Sequence, residues 1–246
     1  MIRLLIALAL STSVLASVLC AQEQHAPEEF FPMSVGSYWL YEGTVSWADS
    51  ANDEPAKQQV SWKMSVNKVI RNKDLVAAIV TGFPADLDFS AGAAVPQPWL
   101  ILQDTKHNFF HVNLGPNYDL TKFDGADPSF ARFMDTDALL FQWPLRKGAK
   151  FCDFEAKGRE DNMYCWVVSQ ETIKPEISIK GAPTSKLQVF ALQYRSLPDD
   201  TTMELVPGLG LLSYEYHHHG TVAATELRLV EFHRASNPSL TSGPQP

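Results

Sequence analysis

Three consecutive histidines, His217, His218 and His219, stand in the stretch YEYHHHGTV and are the densest chemistry in the 246-residue chain. Side chains alternate along a strand, so Glu215, His217 and His219 share one face while Tyr214, Tyr216 and His218 share the other. Two imidazoles two residues apart can hold one divalent ion, and a neighbouring carboxylate can add an oxygen, as in catalytic zinc sites. Such a zinc-like site needs a further ligand, for which His111 and His233 are the candidates. Without it, the rings are the polar tip of a hairpin that turns at Gly220. No serine or cysteine stands in a recognisable nucleophile context, so the sequence assigns no catalytic residue.

Other motifs are weaker. PGLGLL, 207–212, has two of the glycines of a phosphate-cradling loop but runs into an alternating strand rather than a helix, so its glycines serve a turn. The pairs Asp86 and Asp88, Asp135 and Asp137, and Asp199 and Asp200 read as solvated loop charges, since calcium loops need more oxygen ligands at set spacing. Cys152 and Cys165, flanking a polar turn at Lys157, Gly158 and Arg159, read as a disulfide between two facing strands. The aromatic residues Trp39, Tyr41, Trp47, Trp62, Trp99, Trp143 and Trp166 fill a core, or else line a cavity for a hydrophobic ligand. In that second case Trp39, Tyr41, Trp62 and Trp166 are the expected contacts.

These residues must be positioned by strands. VSWKMSV, 60–66, alternates apolar and polar side chains, whereas LVAAIVTGF, 75–83, is apolar on both faces and so central. Similar signals recur at WLILQ, NFFHVN, YCWVVSQ, EISIKG, KLQVFALQYRS, LLSYEYHHH and TELRLVEF. The expected fold is all-β and mainly antiparallel: a strongly curved sheet, half-barrel or sandwich of about ten strands. One or two short helices are expected between Asp127 and Leu140, plugging an open end, with Asp127 as cap and Pro128 at the first position. The stretch 81–98 reads as a long loop of the kind that forms lids.

The first 21 residues have the layout of a secretory signal peptide, with Arg3, an apolar run and small residues near Ala21. A lipoprotein acylated at Cys20 is the alternative, disfavoured by the bulky Leu19. Residues 22–29 form a polar tether, 30–234 a single domain and 235–246 a disordered tail. No later run is long enough to span a membrane. A net charge of −8, with no Lys/Arg cluster in the sequence, argues against nucleic acid and anionic lipid as partners.

The start FFPMSVGSYWLYEG and the close LVPGLGLLSYEYHHHGTV resemble a group of exported bacterial β-rich proteins for which no activity is known. That group starts its mature domain with an FFPxxVGxxW pattern and ends on a PGxG hairpin; Met33 and Leu209 stand here where Leu and Val are expected. The resemblance implies an envelope protein whose first and last strands pair. The leading expectation is a secreted, periplasmic or extracellular, non-enzymatic protein that binds a hydrophobic small molecule or an envelope protein. The alternative is a protein or hydrolase using zinc or another divalent metal at His217, His219 and Glu215.

Overall fold

The computed structural model describes residues 30–48, 54–71, 73–91, 93–119, 128–175, 177–182, 186–220 and 223–236. The signal peptide, Cys20, the tether, Asp127 and all but the first two residues of the tail lie outside the described residues.

The chain forms one sheet of twelve strands: β1 (Tyr38–Trp47), β2 (Ala56–Arg71), β3 (Leu75–Thr81), β4 (Pro98–Asp104), β5 (Asn108–Asn113), β6 (Leu139–Gln142), β7 (Lys150–Cys152), β8 (Cys165–Lys174), β9 (Leu187–Arg195), β10 (Asp199–Val206), β11 (Gly210–His218) and β12 (Ala223–His233). Their spatial order is β6-β5-β4-β3-β2-β1-β12-β11-β10-β9-β8-β7, and every ladder is antiparallel. Two six-stranded meanders are thus joined by the ladder between β1 and β12, in which Tyr38 faces His233 and Trp47 faces Ala223. The first and last strands pair, as the terminal motifs implied. Gly43 lets these two strands approach: a Cβ there would lie 1.8 Å from the carbonyl oxygen of Glu226.

The sheet curls into a nearly closed barrel whose ends, β6 and β7, lie side by side without a ladder. Side chains close this seam. Phe30 packs its ring 5.0 Å from Phe141 and 4.9 Å from Trp143, and Trp143 in turn meets Phe190 of β9 at 6.0 Å. The disulfide between Cys152 and Cys165 fixes the three-residue β7 to β8 at directly opposed positions.

Period-two patterning sets the interior. Trp39, Tyr41 and Val45 of β1 and Trp62, Met64 and Val66 of β2 point inward and are buried. Each such burial contributes roughly 1.5–3 kcal/mol. β3 is apolar on both faces for a visible reason: Ala78 and Val80 face the lumen, while Ala77 and Ile79 join an outer cluster with Leu100, Leu102 and Phe130. The 3-10 segments Pro128–Phe133 and Thr136–Ala138 belong to that outer layer. The expected helical plug is therefore a cover on the outside of β3, β4 and β5.

Two further expectations change. Of EISIKG, the described residues 177–181 form no strand but run beside β12, bridged at Lys180 to Glu231 with Ile179 in the core. β10 opens with Asp-Asp-Thr-Thr, too polar to signal a strand, yet pairs on both sides.

Up-and-down topology sorts the connections. Loops β1–β2, β3–β4, β5–β6, β7–β8, β9–β10 and β11–β12 lie at one end, here called the mouth. The remaining connections, and both ends of the described chain, lie at the other.

Candidate functional site

The face of β11 that matters is the one opposite the expected metal face. Tyr214 and Tyr216 point into the mouth and are buried, and His218 follows at the rim. The long loop between β3 and β4, with its 3-10 turn Pro84–Leu87, folds over them. Phe89 and Ala91 have φ of +57° and +48°, a left-handed backbone that costs a side-chain-bearing residue roughly 1 kcal/mol. That turn sets the Phe89 ring 5.4 Å from Tyr216 and 4.8 Å from His218.

Two carboxylates anchor this cluster. Asp199 accepts from the Tyr216 hydroxyl at 2.6 Å and from Ser196 at 3.1 Å, and lies 2.8 Å from His218 Nδ1. Partial burial works to raise its pKa, but the bonds from His218, Tyr216 and Ser196 outweigh it and leave the carboxyl below the ordinary range. Asp88 differs. Its Oδ2 accepts from Tyr214, and Thr225 adds a second bond, but its Oδ1 is buried without a partner. Burial, with smaller contributions from Asp199 and Asp86, pushes the Asp88 carboxyl up to about 7 despite those two bonds. Asp86, one turn away, holds the loop base by accepting from Gln97 N and Trp99 Nε1, both at 2.8 Å.

Below the mouth, aromatic rings surround a second lone polar atom. His111 of β5 points into the lumen, 5.7 Å from Phe83, 5.9 Å from Trp99 and 6.1 Å from Trp166, ring to ring. Its Nδ1 is buried without a partner, and burial lowers its pKa to about 4, so the ring is neutral at physiological pH. Phe83 stands between the two sites, with its ring also 6.4 Å from that of Tyr214. A cavity of about 20 Å³ borders His111, Phe83 and Phe31, room for one water. A wider open cleft of about 480 Å³ lies between the β5–β6 and β7–β8 loops, lined by Asp135, Asp137, Asp153 and Arg159.

The expected ligands separate into two groups. Trp39 and Tyr41 are fully buried, and donate to the carbonyls of Leu209 at 2.6 Å and Leu211 at 3.0 Å. Trp62 donates to Gly82 O at 2.9 Å, at the root of the β3–β4 loop, and Trp166 belongs to the ring group around His111.

Glu215, His217 and His219 are not assembled as a ligand set. His217 projects outward into solvent, His219 lies in the turn with its Nε2 2.9 Å from Asp200, and Glu215 stays on the outer face. His111 is inside the barrel, and His233 stacks on Tyr38 at the far end. Strand alternation puts His217 on the outer face, but His219 falls in the turn beyond β11, where it pairs with Asp200 of β10. Among the described residues no group of three or more His, Cys, Asp or Glu could hold a metal ion.

The sequence missed Asp88, Asp199 and His218 because they read as solvated loop or hairpin polarity. The signal that could have found them was the Tyr-x-Tyr-x-His alternation of β11, whose large rings mark an inward face.

No family model and no curated protein matches this sequence. Among solved structures, the chain is similar to a protein of Bacteroides fragilis described as exported and of YmcC-like fold, with 11% identity, a TM-score of 0.37, and 83% of this chain and 98% of that one covered. It is also similar to a protein of Parabacteroides distasonis described as a lipoprotein, with 12% identity, a TM-score of 0.38 and the same coverage of 83% and 98%.

Proposed function

We propose that this chain is an exported, non-enzymatic binding protein that takes an apolar ligand with a hydrogen-bonding group into the mouth of the barrel. The observation that carries this reading is the pair of buried polar atoms without partners, Asp88 Oδ1 and His111 Nδ1, on either side of Phe83 in an aromatic lumen. Buried polar atoms are nearly always satisfied, and a ligand donor would satisfy these. The β3–β4 loop acts as the lid: Phe89 is 59% exposed, held in a strained turn over Tyr216 and His218. Opening it gives access to Trp62, Trp99 and Trp166, while Trp39 and Tyr41 hold the floor. Export is supported by the leader of the sequence and by the disulfide, which persists in oxidising compartments.

Native mass spectrometry on the untagged chain from a bacterial host tests this, followed by titration with N-phenyl-1-naphthylamine, an apolar probe with one N–H donor. A retained lipid-sized mass, or probe binding weakened about tenfold or more by Asp88→Asn, is expected for loss of a buried charge-assisted bond. A bare chain that leaves the probe in water overturns the reading.

A further inference from the structure

The sequence has no Lys/Arg cluster, but the fold builds one. Because connections alternate between ends, the turns opposite the mouth gather Lys73, Lys106, Arg146, Lys147 and Lys186, with Arg234 just beyond β12. All six side chains are exposed.

The carboxylates at this end are engaged locally. Asp104 accepts from the backbone amides of Lys106 and Asn108 and from the Asn108 side chain. Glu231 is held by Lys180 at 2.8 Å and by Tyr38, and Glu204 by Lys174 at 2.7 Å. Asp74 is the other carboxylate among the described turn residues there. The mouth has the opposite balance, with Glu54, Asp86, Asp135, Asp137, Asp153 and Glu155 among its loop residues against Arg132, Lys157 and Arg159. The net charge of −8 is therefore unevenly distributed along the barrel axis.

We propose that the basic end docks on an anionic phospholipid surface, so that the mouth points away from it. The strands β1 and β8–β11, eight to ten residues long and tilted as barrels require, separate the two ends by roughly 25 Å. That is about three Debye lengths at physiological salt, so the acidic mouth does not cancel the attraction at the basic end. Two apolar side chains sit at the same end: Val35 before β1 is 58% exposed and Ile173 near the end of β8 is 70% exposed. Both suit an interface with a headgroup region.

The test is sedimentation of the untagged chain with vesicles of 30% phosphatidylglycerol in phosphatidylcholine, and with phosphatidylcholine alone, at low and high salt. Each basic side chain near an anionic surface is worth about fivefold in partitioning. Lys73→Gln, Lys106→Gln, Lys147→Gln and Lys186→Gln combined should therefore weaken binding to the anionic vesicles by roughly a hundredfold or more, as should high salt. Lys157→Gln with Arg159→Gln, in the β7–β8 loop at the mouth, should leave it unchanged, and thermal unfolding checks that both variants are folded. Binding equal on both vesicles, or equally lost in the mouth variant, overturns the proposal. So does failure to bind either vesicle, which would leave an acidic protein face as the occupant this end fits.

Discussion

At the scale of single residues, Asp88 and His111 are opposed titrations in one lumen. Asp88 moves from 3.8 to about 7 on folding, so the folded state takes up its proton more readily. Its stabilisation is fully present below pH 3.8 and is lost as pH rises through 7, at ~1.4 kcal/mol per pH unit and about 4 kcal/mol at most. His111 moves from 6.5 to about 4, so its contribution is present above pH 6.5 and is lost as pH falls through 4. Between pH 4 and 7 the two nearly offset each other in the wild type. Asp88→Asn removes one of them, so its unfolding free energy should fall on acidification from pH 6.5 to 4 while the wild type stays nearly flat. Denaturant titrations across that range measure the difference, and parallel profiles would refute the burial of Asp88. The sequence offered His111 only as a spare metal ligand and Asp88 only as a solvated loop charge. Asp88 sits among small loop residues that look solvated, and His111 is one polar side chain in NFFHVN; only the closing of the loop over the lumen gives either its environment. The alternation of β11 was legible, and the rings of Tyr214 and Tyr216 mark its inward face, but nothing local says that Asp88 and Asp199 meet that face.

At the scale of elements, the seam is where the barrel is held least by hydrogen bonds, because β6 and β7 have no ladder between them and β7 has three residues. The bond between Cys152 and Cys165 keeps β7 on β8 by closing a loop of 13-residue separation. Constraining a loop of that size in the unfolded chain stabilises by about 3 kcal/mol. Cys152→Ala with Cys165→Ala should therefore lower Tm by roughly 6–12 °C. Amide exchange should speed most at 150–152 and in the 153–164 loop. Uniform loss of protection across all twelve strands would place the bridge's effect elsewhere. The facing cysteines were readable because a polar turn lies between two apolar flanks; β6 was not, because Leu139–Gln142 follows directly on the 3-10 turns and is too short to show a period. β10 was missed for the related reason that its first four residues are polar.

At the scale of the whole molecule, the barrel is two meanders, β1–β6 and β7–β12, that share one interior. The interior cluster draws on both: Trp39, Met64 and Phe109 from the first, Val168, Phe190 and Tyr214 from the second. The antiparallel class and the pairing of the chain ends were readable from alternation and from the terminal motifs. Closure was not, since it depends on β6 and β7 coming side by side and on rings meeting across that seam. Gly43 is the tightest approach in the ladder that joins the two halves. A Cβ at Gly43 would collide with the Glu226 backbone, so Gly43→Ala forces β1 and β12 apart along the hydrogen-bonded ladder that joins the halves. Overpacking of this kind costs about 1–3 kcal/mol, or roughly 2–12 °C in Tm for a domain of this size. Because the halves share their core, loosening their junction should lower the stability of both at once: near-ultraviolet signals from Trp39 and Trp166 and the far-ultraviolet strand signal should melt together at the lower temperature. Two separated transitions would instead mean that each six-stranded half holds a core of its own.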